Sequence, residues 1–352
     1  MARNIFCRSI LAGLLSFCNL SMVVAASQVD TQKPLQIYFV DVEGGQATLF
    51  VTPAGQSLLI DTGWPGFEGR DANRIVAAAK DAGLKKIDFV LLTHYHTDHA
   101  GGVPQLAVKI PIGAFLDHGE NREHSNAATE QVWQAYLKVV AQLNLKRTVL
   151  KPGDTLPLQG IESKVISSDG VVIAAALPGA GGTIAACSTA PQPPADTTEN
   201  PRSLGMLFTF GKLRILDLGD LTSEKEMLLM CPVNKLGAVD IYIVSHHGSI
   251  TSNSPLFLNG IAPRVAIMDN GATKGGAPSS WDAVKKSPRL EDLWQLHFSN
   301  EGGATHNVAD GFIANLSGPD AGNYLKLSAW PNGKFEVFNS RTQQTKKYAA
   351  AH

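Results

Sequence analysis

Seven consecutive residues, Thr93-His94-Tyr95-His96-Thr97-Asp98-His99, contain three imidazoles and one carboxylate. They directly follow Ile87-Asp88-Phe89-Val90-Leu91-Leu92, an apolar run that reads as a buried strand. Imidazole nitrogen with carboxylate oxygen is a ligand set suited to Zn²⁺, Fe²⁺ or Mn²⁺. Four metal-capable side chains at the mouth of a strand are poorly explained as packing. Further chemistry-bearing groups lie downstream in Gly219-Asp220 and Ser245-His246-His247-Gly248, and upstream at Asp61.

The elements around these residues follow from patterning. Residues 35–42 read as a strand, and 47–51 with 57–60 as a hairpin around Pro53-Ala54-Gly55. Residues 71–82 have helical spacing, with Ile75, Val76 and Ala79 apolar and Gly83 as a stop. A short strand is expected at 114–116 before Asp117-His118-Gly119, and an amphipathic helix at 127–143. Residues 171–201 are rich in Ala, Gly, Pro, Ser and Thr, which predicts a long surface loop with at most one short strand.

A repeat links the two halves. Gly55-Gln56-Ser57-Leu58-Leu59-Ile60-Asp61-Thr62-Gly63 parallels Gly211-Lys212-Leu213-Arg214-Ile215-Leu216-Asp217-Leu218-Gly219. The strand ending Leu92-Thr93-His94 parallels the one ending Val244-Ser245-His246. A helix separates the members of each pair, at 223–229 in the second copy. Two units of hairpin, helix and strand would deliver polar residues at equivalent strand ends. Packed face to face, their sheets would bring those ends to one edge.

The 352 residues are 44% hydrophobic and 17% charged, ordinary composition for one large domain or two smaller ones. A formal net charge of -1 advertises no duplex nucleic-acid surface, but leaves small phosphodiesters open as substrates. Arg3 and Arg8, the apolar stretch from Ile10 to Val24 and the small residues Val24-Ala25-Ala26 read as a signal peptide. Cleavage is expected after Ala26, with release to the periplasm or outside; the apolar part is short for a membrane span. The expected organisation is a cleaved segment 1–26, a linker 27–34, a hydrolase domain 35–340 and a tail 341–352. Cys7 and Cys18 leave with the first segment, and an exported compartment permits a disulfide between Cys187 and Cys231.

In this order, the His-x-His-x-Asp-His run, the Gly-Asp after a strand and the late histidine resemble the metallo-β-lactamase superfamily over residues 35–338. Within it, Asp41-Val42-Glu43-Gly44-Gly45-Gln46-Ala47 and Ser245-His246-His247-Gly248-Ser249 are similar to the hydrolase domain of DNA-uptake competence proteins. The resemblance implies an α/β fold, a four-layer αβ/βα sandwich with internal duplication and two divalent ions, Zn or Mn, at one sheet edge. It implies that His94 and His96 hold the first ion, Asp98 and His99 the second, and that Asp220 bridges them. The spacing is compatible, since alternate residues of an extended segment share a face.

The late ligand has two candidates: the repeat aligns His246 with His94, whereas the family's His-Gly pairing favours His247. We expect His247 as ligand and His246 as a contact to the reacting group. The family's usual further histidine is replaced by the stretch Glu199-Asn200-Pro201-Arg202-Ser203. Water, Glu199, Asn200 or His118 remain open for that position, and one fewer imidazole favours Mn²⁺. Asp61 is expected to orient a ligand, Lys274 is a candidate contact to an anionic substrate, and His124 is expected in solvent. His297 and His306 have no ligand partner in the pattern.

These residues predict a metal-dependent hydrolase, since a bound divalent ion brings a water pKa down to about 7. Asp98 or Asp220 would orient that water, and His246 would stabilise or protonate the oxyanion. The competence-type resemblance implies a phosphodiester substrate, with a β-lactam or lactone as the alternative. The intact ligand set argues against a non-catalytic metal-binding member, and no flavin-binding segment supports a redox role.

Overall fold

Alternation along the first strand sets the layering. In β1 (Leu35–Phe39), Leu35, Ile37 and Phe39 enter one core and Tyr38 another. A strand apolar on both faces needs cover on both sides. Burying each such side chain contributes about 1.5–3 kcal/mol, so both faces drive assembly. The computed structural model describes residues 1–2, 33–318 and 320–351. Apart from Met1 and Ala2, the expected signal peptide lies outside the described residues, as do Cys7, Cys18 and most of the linker.

Within the unit Gln32–His352, the first sheet continues through β2 (Thr48–Val51), β3 (Ser57–Ile60), β4 (Ile87–Leu91), β5 (Ile112–Asp117) and β6 (Lys146–Val149). The second holds β7 (Glu162–Ser168), β8 (Val171–Val172), β9 (Gly205–Phe210), β10 (Leu213–Asp217), β11 (Ile241–Ile243), β12 (Val265–Met268), β13 (Asp292–His297) and β14 (Ile313–Asn315). Then β15 (Leu325–Ala329), β16 (Phe335–Asn339) and β17 (Gln344–Tyr348) return to the first sheet, with β15 antiparallel to β1. Sheet order is β17-β16-β15-β1-β2-β3-β4-β5-β6 in the first and β14-β13-β12-β11-β10-β9-β7-β8 in the second. The expected tail is corrected here: Phe335 pairs with Tyr348, and the Trp294 indole donates to the Tyr348 hydroxyl at 2.9 Å, so the domain runs through β17.

Helices α1 (Arg70–Asp81), α2 (Thr97–Ala100), α3 (Val103–Ala107) and α4 (Ala127–Leu143) belong to the first half. Ile75 of α1 and Trp133 and Tyr136 of α4 share a core with Leu59 and Val90. Helices α5 (Ser223–Met230), α6 (Pro255–Ile261) and α7 (Pro278–Lys285) cover the second sheet, where Leu229, Phe257 and Val284 meet Leu216 and Ala266. Between the sheets lie Phe50, Leu58, Phe208, Ile215 and Ile267. The result is the αβ/βα sandwich.

The duplication is realised in the pairing. Hairpins β2–β3 and β9–β10 are antiparallel, each followed by a helix and then a strand parallel to the hairpin's second member. The two halves are joined at the site edge by Gln46, whose amide donates to Asp217 Oδ2 at 2.7 Å. Residues 171–201 form the expected long connection, with β8 and a short 3-10 turn at Ala185–Ser188. It is tied down by a disulfide between Cys187 and Cys231.

Candidate metal centre

The candidate ligands of the His94 run, Asp220 and the His246/His247 pair all follow the end of a strand. His94, His96, Asp98 and His99 come after β4, with the last two in α2; Asp220 comes after β10, and His246 and His247 after β11. Two glycines permit the approach. A Cβ on Gly45 would lie 2.3 Å from the Asp98 carbonyl oxygen, and one on Gly219 would meet the Thr93 side chain at 2.8 Å. Gly219 also takes φ +54, a left-handed conformation that glycine adopts without steric cost.

Two donor groups result from these strand ends, and a third, of Asp41, Glu43 and His297, shares no residue with them. Asp98, His99, Asp220 and His247 form one, and His94, His96 and Asp220 the other. In the first, His99 Nε2 is 3.2 Å from Asp98 Oδ2, 3.2 Å from Asp220 Oδ2 and 3.2 Å from His247 Nε2. His247 Nε2 is 3.3 Å from Asp98 Oδ2 and 3.4 Å from Asp220 Oδ1. A tetrahedron with ligand bonds of about 2.05 Å has edges of about 3.3 Å, so these donors already stand at ligand spacing. Asp220 Oδ1 is moreover buried without a hydrogen-bond partner. Nitrogen and oxygen donors, buried and at this spacing, fit a divalent ion.

The second group is looser. His94 Nε2 is 3.0 Å from His96 Nδ1 and 3.8 Å from Asp220 Oδ2. Asp220 thus faces both groups. Neither His118 nor Glu199 joins these donors: His118 Nε2 lies 2.9 Å from Glu199 Oε2, and Glu199 Oε1 accepts from Arg122 N at 2.6 Å. Asn200 is different, for its Oδ1 is buried with no hydrogen-bond partner.

Electrostatics match the donor set. Burial would raise the carboxyls of Asp98 and Asp220, but neighbouring histidines, and Lys274 for Asp98, hold both well below the usual range. Burial would lower His99, but Asp220, Asp98 and Asp61 hold it well above its ordinary value. His247 is likewise pushed up to about 9, against burial, chiefly by Asp220. Burial and the adjacent His99 and His96 push His94 well down, leaving a neutral imidazole. Histidines whose affinity for a proton is raised by surrounding carboxylates are the arrangement in which a cation takes the proton's place.

Supporting contacts fix the rings. Asp61 Oδ2 is 2.7 Å from His99 Nδ1, and Asp61 also accepts from Thr93 N at 2.8 Å and the Thr93 hydroxyl at 2.6 Å. A carboxylate on a ligand histidine's far nitrogen sets tautomer and orientation. Two such carboxylates escaped the sequence reading: Glu123, 2.8 Å from His96 Nε2, and Asp269, 3.3 Å from His247 Nδ1. Asp269 directly follows β12, so the strand-end signal was available; Glu123 sits in a loop with no such signal.

Other candidates fall as follows. His246 is on the rim, with Nε2 3.3 Å from Asp220 Oδ2 and Nδ1 2.9 Å from the Thr251 hydroxyl. Lys274 pairs its ammonium with Asp98 Oδ2 and sits 5.1 Å from the centroid of the Trp64 ring. His124 is exposed beside Glu130. His297 is buried, its Nε2 2.6 Å from Asp41 Oδ1, and His306 lies beside Trp281.

Residues 40–184 match the metallo-beta-lactamase superfamily. Recombination protein 2 of Haemophilus influenzae is 26% identical over 238 residues, which are 67% of this chain and 24% of that protein. Competence protein ComA of Neisseria gonorrhoeae is 25% identical over 234 residues, 65% of this chain and 26% of that protein. The chain therefore spans about a quarter of the length of these relatives. A solved metal-dependent hydrolase of the β-lactamase superfamily aligns over 74% of this chain and 95% of its own, with TM-score 0.42 and 12% identity. Residues 40–184, which carry the His94-to-His99 run, thus match a metallo-β-lactamase domain, and the relatives of similar sequence are competence and recombination proteins.

Proposed function

We propose that this is an exported hydrolase of phosphodiesters that works with two divalent ions, zinc or manganese. The observation that carries the reading is Asp220 standing between two donor groups, with the Lys274 cation beside them. When bound, two ions a few ångströms apart activate a water and stabilise the departing oxygen.

His94, His96 and Asp220 would hold the first ion; Asp98, His99, His247 and Asp220 the second. For the remaining place on the first, Asn200 Oδ1 and His118 Nδ1 are both buried without a hydrogen-bond partner, and we favour the Asn200 oxygen because His118 is held by Glu199 through its other nitrogen. An amide oxygen there favours Mn²⁺. Asp98 or Asp220 orients the attacking water. His246 Nε2, on the rim, would stabilise the leaving oxygen as a hydrogen-bond donor, or pass to it the proton given up by the attacking water. Lys274 can exchange Asp98 for a substrate oxyanion, which supports an anionic substrate. The similarity to competence proteins supports a phosphodiester.

Export rests on the sequence of the first 26 residues and on the Cys187–Cys231 disulfide, a bond at home in an oxidising compartment. Among the described residues no helix is long and apolar enough to cross a membrane. We expect secreted protein to begin at Ser27 on N-terminal sequencing. No duplex footprint is proposed, and the substrate is a small molecule or a short phosphodiester. With added Mn²⁺ or Zn²⁺, the protein should cleave bis-(p-nitrophenyl) phosphate and leave nitrocefin intact. Cleavage of nitrocefin alone would overturn the substrate assignment.

A further inference from the structure

A cavity of about 1170 Å³ lies in the second half of the chain. It neighbours the donor groups through two residues: Thr251 lines it and its hydroxyl is 2.9 Å from His246 Nδ1, and Thr222, two residues after Asp220, lines it as well. One wall is the Pro- and Ala-rich segment 186–197, which the Cys187–Cys231 disulfide ties to the end of α5. The opposite walls come from residues 250–256 and from α7.

The lining has a definite chemistry. Ala190, Pro193, Met227, Ile250, Leu256 and Ala283 make it largely apolar. Thr222 and Ser280 border it, but their hydroxyl oxygens are buried out of reach of solvent. An apolar pocket with a few placed polar groups is the usual make-up of a small-molecule site. Among the described lining residues there is no lysine, arginine or aromatic side chain, whereas Asp196 and Glu224 are present. A polynucleotide needs cations along its backbone and aromatic faces for its bases. This cavity offers neither along its lining, where Glu224 is already paired with Lys225.

We propose that the cavity binds the uncharged acyl or alkyl arm of the substrate, so that the scissile phosphodiester belongs to an amphiphile. This rests on the phosphodiester reading given above. The arm would lie between segment 186–197 and α7. The diester would then reach the metal cluster past Thr251 and His246.

The test uses the full chain loaded with Mn²⁺ or Zn²⁺ and p-nitrophenyl alkyl phosphodiesters, from methyl to octyl, kept below micellar concentration. We expect kcat/KM to rise roughly threefold per methylene over the first carbons, as burial of methylene groups requires. Ala190→Trp and Ala283→Trp should flatten that rise and leave the methyl diester unchanged. In metal-free protein, neutral N-phenyl-1-naphthylamine should bind with enhanced fluorescence, be displaced by the octyl diester, and fail to bind the tryptophan variants. Rates independent of chain length together with no probe binding would overturn the proposal, as would faster cleavage of an oligothymidylate than of the octyl diester. If no diester is hydrolysed but the probe binds and is displaced, the cavity assignment stands and the phosphodiester chemistry fails.

Discussion

His246 and His247 are neighbours in sequence but occupy different places. His247 is buried among Asp98, His99 and Asp220, while His246 keeps contact with solvent and with Thr251. Replacing His247 by Ala should remove one bound ion per chain by elemental analysis. The same change at His246 should leave metal content intact and lower kcat by about 10²–10³-fold, the usual scale for a proton donor or oxyanion contact. Loss of metal only in the His246 variant would reverse the assignment. Lys274→Met should raise KM for an anionic diester by about tenfold or more, since a charge-assisted hydrogen bond is worth about 1.5–3 kcal/mol. A neutral ester substrate should show little change.

Helix α5 supplies a test at the scale of the element. Its Glu226 is fully buried and accepts from Asn253 N at 2.6 Å and Ser254 N at 2.8 Å, pinning the segment that leads from the His246 turn into α6. Burial pushes this carboxyl up to about 7, more than those hydrogen bonds lower it. The folded state therefore holds the proton more tightly than the unfolded state does. That contribution to stability is full below about pH 4.5 and is lost as pH rises to about 7, a change on the order of 3 kcal/mol. Urea unfolding at pH 5 and pH 8 should show the wild type losing stability across this window. Glu226→Gln should be less stable throughout, yet flatter with pH. An unchanged pH slope in the variant would place the titration elsewhere.

For the whole molecule, metal and fold are coupled because the donor groups join the two halves. Asp98 and His99 follow β4 of the first sheet, while Asp220 and His247 follow β10 and β11 of the second. An ion bound there stabilises only the assembled sandwich. Saturation at a hundred times the dissociation constant adds about 2.7 kcal/mol. In a folded unit of this length, at about 2.1 cal/mol/K per residue, that is about 4 °C in melting temperature. Chelation should lower the thermal midpoint by this amount, and Mn²⁺ or Zn²⁺ should restore it. A midpoint indifferent to chelator would mean that the ions do not bridge the halves.

What was legible in the sequence was local. Ligand chemistry, the position of each ligand just past an apolar strand, and the recurrence of hairpin, helix and strand all reside in short runs such as 87–99 and 239–248. They sufficed for the fold class and for the residues that gather. The partnerships needed the tertiary structure. Whether Glu199 faces the ions or His118, which carboxylates brace His96 and His247, and that β15 closes on β1 depend on groups far apart in the chain. Spacing cannot report them, because they are set by how two sheets pack and which strand ends meet. The same packing decided that residues 344–348 are a strand and that 186–197 walls a cavity that neighbours His246 through Thr251.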